Sequence, residues 1–448
     1  MSIPPDLASA CADIALAGDA DAIAGRQARY VAAPSSTEEA STLLQAAAAL
    51  GLTVVPRGVG RLQHWGDPPD SCDLIVDTWR LDRIVAHVPA DLTVTVQAGV
   101  RLGHLEQAVE ASARQTLALL PPRQARVGTV GGLIATNAAG ARRYRFGTPR
   151  DRLTGITAVR ADGAIVRSTD AAGQDLVTLF AGSYGSLGLI TEATFRLEPL
   201  WQVSGGVSLP CDGPEHAARL VEQAADSWIA PSGIQLRWPS ADQPLSLLVM
   251  IQGDRRQDYE ARRARLHALV GRPTVPLPDA GRAPWLDAPD HGGLPPAVAQ
   301  ERLAQRDRIR AEVENPPPDT GTLVRVSFPP AQLARALTVI QAAAAGSGVP
   351  AAIGGSAGAG VLDVKVPAQA QAAAVARFVA ALRAELSGLS EAEAVAGAAR
   401  AVVVYAPDEV RDLTDTHGPV PSLTLIRTVK DEWDPEHRMA PGRLADAV

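Results

Sequence analysis

The chain has 448 residues, which is too long for one ordinary hydrophobic core, and its 46% hydrophobic and 20% charged residues exclude wholesale disorder. Its 42 Lys and Arg residues against 49 Asp and Glu give a net charge of −7, which argues against nucleic-acid or membrane binding through a broad basic face. Three scattered cysteines exclude a disulfide framework and a four-cysteine cluster. Without a membrane-spanning run or a signal peptide, the sequence predicts a cytoplasmic protein.

The first 200 residues predict a lead-in segment followed by one α/β domain. Residues 1–32 are rich in Ala and Asp and predict a loosely packed leading helix. From residue 33, a capping pair of Ser36 and Glu39 begins a helix that Gly51 ends. Apolar runs then predict strands at 52–56, 73–77, 83–87, 93–97 and 189–197, a helix at 102–111 and a hairpin across 155–166. We assign residues 33–200 to this domain.

Beyond residue 200 the pattern changes to a repeat. Residues 203–270 and 322–387 each predict the order strand, helix, strand, strand, helix, which favours two ferredoxin-like halves that share one antiparallel sheet. We assign residues 201–405 to this second domain, with a strand at 401–405 and a proline-rich linker at 272–319 that carries one helix near 297–310. Residues 406–448 predict a helix and a tail that return to the first domain.

Two glycine-rich loops carry the chemical signal. The sequence has no P-loop, and the dinucleotide fingerprint fails because Gln63 stands where its third glycine belongs. The loops at 56–61 and 127–132 each follow a strand, and glycines let backbone amides approach an anion closely. Thr129, Thr136 and Asn137 add hydroxyl and amide donors. Together, the two loops favour a dinucleotide whose pyrophosphate lies between them.

Several motifs then occur in a specific order between residues 33 and 199. They are PSSTEEASTLL, VVPRGVGRLQHWGDPP, DLIVDTWRLDRIV, VGTVGGLIATNAAG and GSYGSLGLITEATFRLEPL, and DPEHRMAPGR follows near the end of the chain. This series resembles the FAD-binding proteins of the vanillyl-alcohol oxidase and p-cresol methylhydroxylase (PCMH) type, and within them the FAD-binding subunits of glycolate oxidases. The resemblance implies an α+β fold, in which a PCMH-type FAD-binding domain of two α/β subdomains carries an antiparallel cap built from two ferredoxin-like halves.

The resemblance also implies which residues bind FAD. The first loop supplies Arg57, Gly58, Val59, Gly60, Arg61 and Leu62. The second supplies Gly128, Thr129, Gly131, Gly132, Thr136 and Asn137. Pro121 matches a proline that faces the flavin, and Gly188 and Ile190 match a strand start whose backbone contacts it. The cap is expected to cover the flavin ring, with the substrate between the two domains.

Three departures from the family pattern qualify this picture. Arg61 stands where covalent members commonly carry a flavin-linking histidine, so we expect non-covalent FAD. Ala440 replaces the usual asparagine before Pro441 and Gly442, which removes any side-chain contact from that position. Residues 354–366 lack the histidines of the metal motif in related D-2-hydroxyacid dehydrogenases, so we expect no metal.

Substrate residues are less clearly marked. Arg325 and Arg237 lie on predicted cap strands and are candidates to bind a carboxylate bidentately, although a solvent-exposed position is commoner for any arginine. Arg325 is the better candidate, because its neighbours Val324 and Val326 alternate with it as one buried face. Tyr184 and Tyr144 are further candidates to line the site, against the alternatives of core packing and a solvated basic loop. No catalytic base stands out.

The resemblance predicts a flavoenzyme that oxidises a small 2-hydroxy acid such as glycolate or D-lactate by hydride transfer to flavin. A stand-alone alcohol oxidase and a non-catalytic flavin-carrying subunit remain alternatives. Because the chain cannot hold a four-cysteine cluster, a second flavoprotein and an iron–sulfur subunit are the expected partners, as in the family.

Overall fold

The computed structural model describes residues 2–121, 126–168, 173–225, 228–270, 275–277, 321–390, 399–420 and 422–444. These residues form three main β-sheets. The helices are α1 (Pro5–Ala10), α2 (Thr37–Ala49), α3 (Leu102–Ala113), α4 (Val130–Thr136), α5 (Arg143–Phe146), α6 (Pro149–Arg152), α7 (Gly173–Phe180), α8 (Pro214–Ala225), α9 (Arg256–Val270), α10 (Leu333–Ser347), α11 (Ala372–Ser390), α12 (Asp408–Arg411) and α13 (Leu423–Trp433).

The first glycine-rich loop follows a strand of the first sheet. Its strands are β1 (Ile14–Leu16), β4 (Tyr30–Ala32), β5 (Val54–Arg57) and β6 (Leu74–Asp77), in the order β1-β4-β6-β5. Strand β6 is parallel to both β4 and β5. Helix α2 begins as predicted, because the Ser36 side chain accepts a hydrogen bond from the Glu39 amide. The Glu39 carboxylate instead accepts bonds from Ser35 and from the Ala12 amide.

The second sheet is antiparallel throughout. It contains β7 (Ile84–Val88), β8 (Thr93–Gln97), β10 (Leu153–Val159), β11 (Ile165–Arg167) and β12 (Leu189–Arg196), in the order β11-β10-β12-β8-β7. Strands β10 and β11 form the predicted hairpin. Residues of α3 and α4 are buried in one cluster with residues of this sheet. This packing fixes the start of α4 beside the end of β8, where Gly131 donates a hydrogen bond to the Ala98 carbonyl oxygen. The first 200 residues also form two short antiparallel pairs. Strand β2 (Ala22–Ile23) pairs with β3 (Arg26–Gln27), and β9 (Gln115–Thr116) pairs with β13 (Glu198–Pro199).

The cap is one antiparallel sheet of eight strands. They are β14 (Val203–Cys211), β15 (Gly233–Trp238), β16 (Leu245–Gly253), β17 (Val275–Leu277), β18 (Thr322–Ser327), β19 (Ala352–Ser356), β20 (Val361–Val366) and β21 (Arg400–Tyr405). Their order is β17-β14-β16-β15-β19-β20-β18-β21, and the predicted halves join where β15 pairs with β19. The fold class predicted from the sequence is therefore confirmed.

Alternate residues of β18 belong to two different cores. Val324 and Val326 are buried in the cap cluster, which also contains residues of α8, α10 and α11. Leu323 is buried in the cluster of the second sheet. Because side chains alternate along a strand, Arg325 shares the face of Leu323 and is directed towards the FAD-domain side.

Two element predictions differ from the structure. The predicted leading helix is only the six-residue α1, and strands β1 to β4 follow it. The Ala-rich composition favoured a helix. Instead, β4 pairs with β6 and β1 pairs with β4, which gives both strands backbone partners in a sheet. Within the predicted proline-rich linker, residues Val275–Leu277 form strand β17 beside β14. The helix predicted near 297–310 lies outside the described residues.

The C-terminal segment returns to the first sheet. Met439 forms a parallel bridge with Val54, and the Ala440 amide donates a hydrogen bond to the Val54 carbonyl oxygen. Lys430 on α13 is fully buried, and its ammonium group donates to the Asp434 carboxylate and to the carbonyl oxygens of Ser186 and Met439 at 2.6, 2.7 and 2.9 Å. This segment is thereby fixed against the loop that precedes β12.

Candidate functional site

The first glycine-rich loop starts at a buried ion-pair cluster. The Arg57 guanidinium donates hydrogen bonds to Asp77 at 2.6 Å and to Asp21 at 3.0 Å, and all three residues are buried. Burial alone would lower the pKa of Arg57, but the hydrogen bonds and charges of Asp77 and Asp21 raise it above its ordinary value. Its side chain therefore anchors the start of the loop.

The two glycine-rich loops touch each other. Thr129 caps α4, and its hydroxyl oxygen accepts a hydrogen bond from the Gly132 amide at 3.3 Å. A Cβ atom added to Gly58 would lie 2.2 Å from that same oxygen. Glycine at position 58 thus permits the loops to approach each other. At Gly131 an added Cβ would lie 3.0 Å from the Ala98 Cβ and 3.2 Å from the Ala98 carbonyl oxygen, so this glycine permits α4 to pack closely against Ala98.

Both loops line one cavity, which we call the glycine cavity. It measures about 760 Å³ including space open to solvent. The predicted residues that line it are Arg57, Gly58, Val59, Gly60, Arg61, Leu62, Gly128, Thr129, Gly131, Gly132, Thr136, Tyr184, Gly188 and Ile190. Asn137 lies outside this lining: it ends α4 in a left-handed conformation, and its Oδ1 accepts a hydrogen bond from the Arg150 amide.

Arg443 also lines the glycine cavity, and the sequence interpretation did not single it out. Its guanidinium donates to the Gln63 side chain at 2.9 Å and to the Trp65 carbonyl oxygen at 2.6 Å. The residue is 2% exposed, and its Nε has no hydrogen-bond partner in the described part of the chain. Burial lowers its pKa to about 10, so it remains a cation at neutral pH. A buried cation beside clustered backbone amides suits an anionic ligand. The motif APGR at 440–443 was the available signal.

A second cavity lies between the cap sheet and the loops around residues 120 and 140. It measures about 600 Å³ including open space, and we call it the arginine cavity. Its lining residues are Leu120, Pro121, Arg126, Ala139, Gly140, Ala141, Arg143, Gln235, Arg325, Gly355, Ser356, Val361 and Asp363. Pro121, predicted to face the flavin, is therefore here rather than in the glycine cavity.

Arg325 is held rigidly at the arginine cavity. It lies directly opposite Asp363 across strands β18 and β20, and its Nε and Nη2 donate to the two carboxylate oxygens at 2.8 and 3.1 Å. Its guanidinium also stacks over the Trp65 ring, with 5.2 Å from Cζ to the ring centroid. Burial lowers the pKa of Arg325, but the charge and hydrogen bonds of Asp363 outweigh this effect and raise it.

Tyr184 lines the glycine cavity and has a positive φ of 53°, which is unusual for a tyrosine. Burial raises the pKa of its phenol, and the nearby charges of Arg325 and Arg443 oppose that rise. The glycines of the GSYGS motif predict a loop, but the sequence does not reveal the positive φ of the tyrosine within it.

The remaining predicted substrate residues are elsewhere. Arg237 is exposed on β15, two residues beyond Gln235 on the same face, and it lines neither cavity. Tyr144 packs against the cap core beside Gly358 and also lines neither cavity. His64, which the sequence interpretation did not select, contacts the Tyr405 ring edge-on at 5.0 Å between centroids. Burial, with the charge of Arg443, lowers the pKa of His64 to about 4, so this imidazole is neutral at physiological pH.

Comparisons with known proteins agree with this geometry. A family model described as FAD binding domain matches residues 28–169. This chain carries an FAD-binding domain. The match includes both glycine-rich loops and the strands that position them.

Curated relatives of this FAD-binding domain are FAD-linked oxidoreductases. Glycolate oxidase subunit GlcD of Bacillus subtilis is 32% identical over 225 residues, which cover 49% of this chain and 46% of that protein. D-lactate dehydrogenase of Archaeoglobus fulgidus is 34% identical over 44% of each chain. D-2-hydroxyglutarate dehydrogenase of Xanthomonas citri is 34% identical over 37% of this chain and 36% of that protein. The chain thus matches these relatives over about half of their length or less.

Solved structures extend the fold similarity beyond the FAD-binding domain to the cap. Substrate-bound p-cresol methylhydroxylase superposes with a TM-score of 0.67 over 98% of this chain and 95% of that chain, at 13% identity. Alkyldihydroxyacetonephosphate synthase gives 0.64 over 94% of this chain and 78% of that chain, at 16% identity. The predicted resemblance to PCMH-type proteins is therefore confirmed for the fold.

Three further observations concern the cysteines, possible metal sites and possible membrane helices. Cys11, Cys72 and Cys211 are free and buried thiols. In the described ranges, no three His, Cys, Asp or Glu side chains gather as in a metal site, and metal independence stays a prediction. No helix among the described residues is long and apolar enough to cross a membrane.

Proposed function

We propose that this protein is an FAD-dependent oxidoreductase that oxidises a small 2-hydroxy acid to the corresponding 2-oxo acid. The glycine cavity is the observation that carries the proposal, because a matched FAD-binding domain supplies both loops that line it. The similarity to glycolate oxidase, D-lactate dehydrogenase and D-2-hydroxyglutarate dehydrogenase sequences supports the substrate class.

The residues of the glycine cavity fit the cofactor. We propose that the loop backbones at 57–62 and 128–132 hold the pyrophosphate, with Gly188 and Ile190 beside the remainder of FAD and Arg443 adding a buried positive charge. Bound FAD would supply the two-electron acceptor, taking a hydride from the α-carbon of the acid. The protein's own task is then to orient the acid, exclude water and receive the hydroxyl proton.

Orientation of the acid is the role we propose for Arg325. Its guanidinium is fixed by Asp363 and by the Trp65 ring, so little side-chain entropy is lost when a carboxylate binds its remaining donors. Tyr184, which lines the glycine cavity and interacts electrostatically with Arg325, is a further candidate to contact this acid. Arg237 and Tyr144 have no part in this proposal because they line neither cavity.

Non-covalent FAD attachment is part of the proposal. Arg61 lines the glycine cavity, and the described residues of that lining include no histidine or cysteine. Acid precipitation of the FAD-loaded protein should leave the yellow colour in the supernatant. Colour retained in the pellet would contradict non-covalent attachment.

The test of the proposed activity is anaerobic reduction of the bound flavin. FAD-loaded protein is mixed with glycolate, D-lactate and longer 2-hydroxy acids, and bleaching of the oxidised flavin is recorded against R237Q as a matched control. We expect bleaching by at least one acid, in the native protein and in R237Q alike. Failure of every 2-hydroxy acid, also after addition of co-purified partners, would contradict the proposal.

We further propose a hetero-oligomeric cytoplasmic enzyme with a second flavoprotein and an iron–sulfur subunit. The similarity to a glycolate oxidase subunit and the absence of clustered cysteines in the sequence support this. The isolated chain should then turn over slowly with oxygen and faster with an artificial dye. Turnover of about 1 per second or more with oxygen alone would favour the stand-alone oxidase instead.

A further inference from the structure

Two polar side chains of the cap form a pair on the wall of the arginine cavity. Ser356 on β19 lies directly opposite Gln235 on β15, and both residues line the cavity. Resting on the proposed function, we propose that this pair binds the 2-hydroxyl group of the acid whose carboxylate Arg325 binds. Ser356 and Gln235 thereby make the site specific for 2-hydroxy acids over simple carboxylic acids.

The hydroxyl group of Ser356 is the first element of the argument. The residue is 5% exposed, and its hydroxyl has no hydrogen-bond partner in the part of the chain that the structure describes. A buried hydroxyl without a partner costs stability, and a ligand that completes its hydrogen bonding removes that cost. Because Ser356 lines the same cavity as Arg325, an acid bound in this cavity is the ligand that fits.

The side-chain amide of Gln235 supplies the complementary group. Its Nε2 donates a hydrogen bond to the Ala141 carbonyl oxygen at 3.3 Å, and the residue is 8% exposed. A carbonyl oxygen can only accept a hydrogen bond, which fixes the orientation of the amide. Among the residues that the structure describes, none donates a hydrogen bond to the Oε1 atom of Gln235. This oxygen is therefore available as an acceptor.

The chemistry of the pair matches a hydroxyl group rather than a carboxylate. A hydroxyl both donates and accepts a hydrogen bond, whereas a carboxylate only accepts. Ser356 can donate to the hydroxyl oxygen of the acid while Oε1 of Gln235 accepts its hydrogen. A carboxylate at this place would be repelled by the Gln235 oxygen. The carboxylate is directed instead to Arg325, whose guanidinium is held by two hydrogen bonds to Asp363.

The strand that carries Ser356 has a glycine where the acid would lie. Gly354 is opposite Asp363, two residues before Ser356, and shares the face of Ser356. An added Cβ would meet nothing nearer than the Leu236 carbonyl oxygen at 3.5 Å, so packing does not require a glycine. A glycine inside a strand weakens it and often marks a place where a ligand approaches closely. The sheet face between Asp363 and Ser356 is thus left without a side chain.

The experiment compares two redox-inert acids that differ in the 2-hydroxyl group. 2-Hydroxy-2-methylpropanoate has the carboxylate and the hydroxyl but no hydrogen on its α-carbon, so it cannot pass a hydride to the flavin. 2-Methylpropanoate lacks the hydroxyl. Dissociation constants are measured by calorimetry on FAD-loaded native protein, S356A, R325K and S246A, at one pH and ionic strength. Ser246 on β16 is the matched control because it lines neither cavity.

We expect native protein to bind the hydroxy acid about tenfold more tightly than 2-methylpropanoate, because its hydroxyl group completes two hydrogen bonds. S356A should reduce this preference to about threefold or less, with unchanged affinity for FAD. R325K should weaken both acids by the same factor, since it acts on the carboxylate. S246A should match the native protein.

Equal affinity of native protein for the two acids, undetectable binding of both, or a full preference in S356A overturns the proposal. Equal weakening of both acids by S356A also overturns it, because Ser356 would then contact the carboxylate. Bleaching of the flavin by 2-hydroxy acids under any of these results leaves the proposed oxidation intact. If the preference depends on Ser356 but no 2-hydroxy acid bleaches the flavin, the hydroxyl-binding pair is supported and the proposed oxidation is wrong.

Discussion

The two cavities are built in opposite ways. The glycine cavity is lined largely by glycines and other small residues, most of them in two short stretches of the sequence. The arginine cavity is lined by charged and polar side chains from strands β15, β18, β19 and β20 and from a loop more than 80 residues earlier. A backbone cradle is encoded in contiguous motifs, whereas a side-chain pocket depends on strand register and on how two domains meet. This difference suggests that substitutions at one cavity should leave the other largely intact.

The largest expected effect concerns the buried ion pair of the C-terminal segment, which we expect to support the glycine cavity. Lys430→Met leaves the Asp434 carboxylate buried without its cation and removes the hydrogen bond to the Ser186 carbonyl oxygen. Breaking a buried ion pair by removing one partner costs about 3–5 kcal/mol. We expect a loss of this size in urea unfolding and weaker FAD binding.

Two variants control for this result. Lys365→Met changes an exposed lysine on β20 and should have little effect. The double variant K430M/D434N should recover part of the stability because no unpaired charge remains. A K430M protein as stable as K365M would show that the buried pair contributes nothing.

The second prediction concerns contact between the two glycine-rich loops. Gly58→Ala places a Cβ 2.2 Å from the Thr129 hydroxyl oxygen, so the two loops must move apart. Overpacking of this kind typically destabilises a protein by about 1–3 kcal/mol. FAD affinity should therefore fall about tenfold or more in a fluorescence titration. Thr129→Ala removes the nearest atoms, so G58A/T129A should bind FAD nearly as well as T129A. Absence of rescue would mean that Gly58 is needed for another reason.

The third prediction separates the cavities directly. Arg325→Lys keeps the charge but loses the bidentate geometry and the stacking on Trp65. We expect the FAD dissociation constant to stay unchanged and the affinity for a bound acid to fall about tenfold. Equal loss of both affinities would show that the two cavities are energetically coupled.

The fourth prediction is a pH dependence of stability at the boundary between the domains. The folded-state pKa of His64 is lowered to about 4 from an ordinary value of 6.5. Between these values the unfolded chain binds the proton more strongly, so stability is full above pH 6.5 and declines as pH falls towards 4. His64→Gln should flatten this part of the stability profile, whereas His104→Gln, at an exposed position, should not. Parallel profiles for native protein and H64Q would contradict the assignment.

Much of the architecture was predictable because it depends on local pattern. The cap of α2 at Ser36 and the repeated strand and helix order after residue 200 follow from short-range chemistry and periodicity. The leading segment was mispredicted as helical because strand β4 gains its stability from pairing with β6, more than 40 residues later. Sequence alone does not reveal such distant pairing.

The two cavities differ in the same way in how far the sequence predicts them. The residues of both glycine-rich loops line one cavity, and their role in binding FAD stays a prediction that closely spaced glycines favour. The flanking Val324 and Val326 favoured Arg325 over Arg237, but the sequence could not show which of the two lines a cavity, because both occupy similar alternating strands. Only the register that sets Arg325 opposite Asp363, and the position of β18 over the FAD domain, distinguishes them. Arg443 and Ser356 likewise gain their significance from residues far away in sequence.

The bridge between Val54 and Met439 has a consequence for how the protein is made. These two residues are 385 positions apart, and residues 438–440 complete the edge of the first sheet beside β5. At about 5–20 residues per second, a ribosome needs roughly 20–80 seconds to travel from one to the other. During that interval the edge of β5 remains open to wrong partners. A nascent chain stalled within the cap should therefore recruit chaperones that a completed chain no longer needs.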